Sequence, residues 1–186
     1  MRSPSVLILF AGIVAGCGKA ADTATDAGVA GELRAAEAAW AAAKPSCSTY
    51  HYQSTTQSAA FDSCATTTIE IANDQPVRRS LTAYTYGTCG GGDAGPSDSW
   101  DETGAAIGSH DDGAPALTIE QLFAACQGDL AQDPKQNSLT LQIGMDGVPI
   151  ACGHTPNDCV DDCYLGFELS NFACTPWPAD AGAGDR

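Results

Sequence analysis

The feature that most constrains this chain is an odd number of cysteines. There are nine in 186 residues, and a chain that pairs its thiols needs an even number. Eight of them, Cys47, Cys64, Cys89, Cys126, Cys152, Cys159, Cys163 and Cys174, are spread over the middle and end of the sequence. Cys17 stands apart, directly behind an apolar run. The question is whether Cys17 belongs to the crosslinking set or has separate chemistry.

The residues around it answer. Arg2 is a minimal positive start, and Val6 to Val14, "VLILFAGIV", is an apolar stretch too short for a membrane span of about 20 residues. "VAGC" follows: an aliphatic residue, two small ones, then Cys17. This resembles the lipobox of bacterial lipoproteins. The resemblance implies a signal peptide over 1–16, diacylation of the Cys17 thiol, and acylation of the new amine after cleavage. Two or three acyl chains hold a protein firmly on a membrane, at about 0.8 kcal/mol per buried methylene. An ordinary secretory signal cut elsewhere is the plainer alternative.

With Cys17 assigned to lipid, the remaining cysteines are even in number. On an exported chain they read as a disulfide framework, with on the order of a hundred possible connectivities. Strand parity favours two bridges, Cys152–Cys163 and Cys64–Cys89. Zinc is a poor alternative: His154 lies near Cys159 and Cys163, but no second close Cys pair exists.

Charge narrows the partners. The formal net charge is −15, which disfavours nucleic acid and anionic lipid headgroups, both of which need clustered Lys and Arg. Residues 17–31, the acylated Cys and "GKAADTATDAGVAG", read as a flexible acidic tether. Residues 32–174 are the size of one domain. Residues 175–186 read as a flexible tail.

Within the domain, Glu32 to Lys44 places Leu33, Ala36, Trp40 and Ala43 on one helical stripe, stopped by Pro45. "STYHYQST", "CATTTIEIA" and "VRRSLTAYTY" alternate as strands, with "NDQP" as a turn. Residues 87–115 are long, Gly-rich and acidic, and read as a surface loop. Thr118 and Gln121 form a capping box at the start of a second helix. There Ile119, Leu122, Phe123, Cys126 and Leu130 share a face, so a disulfide from Cys126 could pin helix to sheet. "SLTLQI", "VPIAC" and "CYLGFELSNF" supply three further strands. The expected fold is α+β: an antiparallel sheet of about six strands in two meanders, two helices packed on one face, and disulfide staples.

Trp40, Tyr50-x-Tyr52, the hairpin through Ile69 and Ile71, "TIEQLF", "DGVP" and the Asp161–Asp162 pair fall in an order that resembles an uncharacterised family of small bacterial lipoprotein and secreted domains. The likeness covers residues 32–172, departs from the family at Val148, and implies no activity.

No catalytic motif emerges. G-x-S-x-G, H-E-x-x-H, P-loop and Rossmann patterns are absent from the sequence. His51 reads as a solvated strand histidine, and His110 and His154 sit on dissimilar segments. No cofactor is expected. Acidic loops are the candidates for calcium: Asp93, Asp98, Asp101 and Glu102 in one cluster, and Asp158, Asp161 and Asp162 in another. Neither has the spacing of a calcium loop. The expectation is a non-catalytic, membrane-anchored envelope protein whose domain binds a protein or envelope component, with tyrosines 50, 52, 84 and 86 as a possible aromatic patch. The alternative is a calcium-binding or metal-dependent extracytoplasmic protein. An apolar groove beside the tyrosines would favour the first, and carboxylates converging on a cavity the second.

Overall fold

The computed structural model describes residues 23–58, 63–85, 95–160 and 163–176. Helix α1 spans Thr23–Ala43, then strands β1 (Thr49–Ser58), β2 (Ser63–Ala72), β3 (Gln75–Thr85) and β4 (Asp98–Thr103) follow. Helix α2 (Ile119–Leu130) precedes β5 (Asn137–Ile143), β6 (Pro149–Pro156) and β7 (Leu165–Ala173). All described strand pairings are antiparallel. The spatial order is β4-β3-β2-β1-β7-β6-β5, one seven-stranded sheet in an α+β fold. β1, in the middle, joins the last strand of the chain to the first hairpin.

Several sequence expectations change. The sheet has seven described strands rather than six, because Asp98–Thr103 lies inside the predicted loop. There Trp100 and Glu102 face one way and Asp101 the other, a short strand hidden by its acidic surroundings. Second, α1 begins nine residues before Glu32, so residues 23–31 are helical rather than tether. Gly28 and Gly31 each cost about 1 kcal/mol against Ala, which weakens but does not break an alanine-rich run continuous with a packed half. Third, the chain is still engaged at residue 175: His51 Nδ1 donates to the Thr175 carbonyl at 2.6 Å. His51 is therefore buried, 6% exposed, rather than solvated.

The core gathers Leu33, Ala36 and Trp40 of α1, Tyr50 and Tyr52 of β1, Ile69 and Ile71 of β2, and Ile119, Leu122, Phe123 and Cys126 of α2. These are the residues that helical and alternating periods selected. Trp40 meets Tyr50 edge-on at 5.5 Å between centroids, an orientation that suits opposed ring quadrupoles. The "DGVP" turn seats α1. Gly147 has φ +78°, and a Cβ there would collide with the backbone of Ala36 and Trp40, so only glycine fits.

Disulfides close the framework. Cys47–Cys174 ties the segment before β1 to the residue after β7, with Cα atoms 4.9 Å apart. Cys126–Cys152 pins α2 to β6 with Cα atoms 5.5 Å apart, as the inward aspect of Cys126 allows. Cys159–Cys163 closes a short loop before β7. The expected Cys152–Cys163 bridge is therefore not made. Cys152 pairs across the sheet with Phe167, while Cys163 lies four residues earlier, beyond the end of the strand. Cys64 is disulfide-bonded; Cys89, its expected partner, lies outside the described residues, as does Cys17.

Candidate functional site

The two central tyrosines position the site. The Tyr52 hydroxyl donates to the Leu117 carbonyl at 2.6 Å, and the Ile119 N–H donates to the Tyr50 hydroxyl at 3.1 Å. Both hydroxyls thus anchor the start of α2, where the capping box forms as read: Gln121 N–H to Thr118 Oγ1 at 3.3 Å, and Thr118 N–H to Gln121 Oε1 at 2.8 Å. Burial pushes Tyr50 up to about 12, against the lowering effect of the Ile119 N–H. Burial pushes Tyr52 up as well. Both phenols stay neutral at any physiological pH. Tyr50 and Tyr52 are core and anchor rather than a surface patch; Tyr84 is half-buried near the end of β3, and Tyr86 lies outside the described residues.

Beside Tyr52 the packing opens. A cavity of about 520 Å³ lies between α2, the sheet and the loop leading to α2. Leu122, Ala125 and Asp129 line it from the helix, Phe167 and Leu169 from β7, and Ala65 and Thr56 from the first hairpin. Its size is that of a small-molecule or side-chain pocket. A second cleft of about 470 Å³ adjoins it, lined by Ser54 to Gln57, Tyr164 and Gly166 to Glu168. The two share Ser54, Thr56, Gly166 and Phe167.

Strand register explains the opening. β1 pairs with β7 from His51↔Ala173 to Ser54↔Leu169 and no further. Beyond Ser54, β1 continues to Ser58 with β2 as its partner, and β7 before Leu169 pairs with β6. The sheet therefore splits between the end of β1 and the start of β7. At the split Gly166 has φ +151° and lies against the Cys152 carbonyl and Gly153, leaving no room for a side chain. Tyr164 covers Gly153, and its hydroxyl donates to the Phe167 carbonyl at 3.2 Å.

The far wall depends on a buried ion pair. Tyr52, Ile69, Arg79 and Glu102 form one row across β1 to β4. Arg79 and Glu102 have side chains 5% and 1% exposed, with Nη1 3.1 Å from Oε2. Glu102 also accepts from the N–H groups of Gly108 and His110, both at 2.7 Å, from Ser109 Oγ at 3.1 Å and from His110 Nδ1 at 2.9 Å. Arg79 donates to the carbonyls of Ala114, His110 and Asp112. Burial raises the Glu102 carboxyl, but the Gly108, His110 and Arg79 donors outweigh it and hold it far below the usual carboxylate range. His110 stacks on Trp100 at 4.5 Å, and the Arg79 guanidinium lies 4.6 Å from a Trp100 ring. This network fixes residues 107–114, which hand the chain to the cavity wall.

The first acidic cluster named as a calcium candidate is divided between two faces. Glu102 points to the core row, while Asp101 faces the other side and is held by Arg78 at 2.6 Å. Asp98 is exposed, and Asp93 lies outside the described residues. In the second cluster Asp158 is exposed, and Asp161 and Asp162 lie outside the described residues. Among the described residues no three His, Cys, Asp or Glu side chains converge. No described helix is long and apolar enough to cross a membrane. Sequence reading had no signal for the cavity, because its walls come from β1, β7 and α2 and meet only through long-range pairing. The chain matches no protein-family model, no curated protein and no solved structure.

Proposed function

We propose that this chain is a lipid-anchored bacterial envelope protein whose disulfide-stapled head is a non-catalytic binding module for a protein or envelope component. The apolar cavity beside Tyr52, open to the cleft between β1 and β7, carries this reading. Its described lining is a hydrophobic floor with few polar groups, which suits recognition of an apolar side chain. In this reading both helices cover one face of the sheet, since their buried residues join a single core with β1 and β2. The disulfide set agrees with it, since such bonds suit an oxidising compartment.

Anchoring and binding have separate tests. Cys17→Ser is expected to move the protein from the membrane to the soluble fraction, and mass spectrometry of the wild type is expected to find acylated Cys17. An unmodified Cys17 removes the anchor from the proposal. For binding, a photo-crosslinking residue at position 125, exposed on α2 at the cavity mouth, is expected to yield a discrete adduct in native membranes. The same residue at exposed Arg34 on α1 serves as control. Equal labelling from both positions, or none from 125, contradicts the binding reading.

A further inference from the structure

From the cavity beside Tyr52 and the carboxylate in its lining, we infer that the ligand is a free amphipathic amine, with its apolar body against Leu122, Phe167 and Leu169 and its ammonium on Asp129; this rests on the binding reading above. The cavity comes first. Tyr52, Leu117, Leu122, Phe167 and Leu169 give it apolar walls. At about 520 Å³ it is roomier than one amino-acid side chain needs, and it has the size of sites that enclose whole small molecules. Apolar walls gain from any hydrophobic body, so they supply affinity without choosing the chemistry. That choice falls to a charged group in the lining.

Asp129 is such a group. Leu122, Ala125 and Asp129 share one stripe of α2, and all three line the cavity. The Cys126–Cys152 bridge holds this part of the helix against β6. His154, on the same strand, brings its Nδ1 to 3.3 Å from Asp129 Oδ1. The contact is not aligned as a hydrogen bond, and the buried Nδ1 has no hydrogen-bond partner among the described residues. No described group donates a hydrogen bond to the Asp129 carboxylate either, although its side chain is only 23% exposed. A carboxylate so far removed from water ordinarily gathers donors, as Glu102 does. An ammonium brings three donors and a full opposite charge, which meets both needs of Asp129.

The surroundings favour the same sign. Burial, with Glu168 and then Asp129, pushes the Tyr164 phenol up to about 12. Tyr164 and Glu168 line the adjoining cleft, so two carboxylates act on one wall between cleft and cavity. No Lys or Arg is among the described residues that line either space. On a chain of net charge −15, an anionic ligand is repelled and a cationic one drawn in.

The test is calorimetric titration of the full chain with phenylbutylamine, its neutral analogue phenylbutanol and the anion phenylpentanoate. Saturable binding of the amine is expected, with the alcohol weaker by about tenfold or more, since a hydrogen bond to a charged group is lost. The anion should not bind. Asp129→Asn should weaken the amine by a similar factor and leave the alcohol unchanged. That coupling separates a direct contact from the general pull of an acidic chain. Ala125→Trp, at an exposed position on the cavity mouth, should abolish binding of both. Circular dichroism checks that each variant folds, and the comparison of amine with alcohol on the wild type needs no variant. No binding of the amine, equal binding of amine and alcohol, or an Asp129→Asn chain that still prefers the amine as the wild type does overturns the inference. The photo-crosslink from position 125 identifies the source. The adduct is expected to add the mass of a small molecule, whereas an adduct with a protein overturns the free amine and leaves the binding reading standing. Failure of the amine together with loss of any adduct removes the binding reading as well.

Discussion

At the residue scale, the chain's polar chemistry is concentrated in Glu102. Five donors converge on one carboxylate that is 1% exposed, and a buried charge is tolerable only when it is met in this way. Its folded pKa lies below the unfolded value near 4.5. The pair therefore contributes stability that is fully present above about pH 4.5 and is lost as pH falls toward the folded value. Glu102→Gln is expected to lower the melting temperature at pH 7, because Arg79 keeps its charge in the interior without a counter-ion. Between pH 6 and pH 3 the variant should lose less stability than the wild type, since the carboxylate that titrates is gone. Melting curves over that range check both points, and parallel pH profiles would contradict the role assigned to Glu102. The sequence showed Glu102 only as one acid among several in a loop. What it could not show is that Arg79, twenty-three residues earlier, would sit directly opposite it across β3 and β4.

At the element scale, local chemistry was legible and crosslinks were not. The capping box at Thr118 set the start of α2, and alternation in "CATTTIEIA" gave the buried face of β2, because both signals act over a few residues. Disulfide partners are set by which elements meet. Cys126 and Cys152 found each other through α2 packing on β6, whereas parity along β6 alone pointed Cys152 toward Cys163. The three described bridges span separations of 127, 26 and 4 residues. If a crosslink acts mainly by restricting the unfolded chain, they contribute about 5, about 3.5 and about 2 kcal/mol in that order. Replacing each pair with alanines is expected to lower stability in the same order, with loss of Cys47–Cys174 the most severe. Denaturant titration checks the ranking. A Cys159–Cys163 deletion that costs as much as Cys47–Cys174 would show that strain or local packing dominates over chain entropy.

At the scale of the whole molecule, an α+β class followed from the order of helical and alternating segments. The position of β7 between β1 and β6 did not, since it depends on the last strand crossing back to the centre of the sheet. That crossing sets β7 beside β1 from His51 to Ser54 and beside β6 from Leu165 to Glu168, next to the cavity. Photo-crosslinking from position 125 in native membranes tests the proposed binding role of that cavity most directly. A discrete adduct is expected from position 125 and none from position 34. Equal labelling from both positions, or none from 125, would contradict the cavity as the binding site.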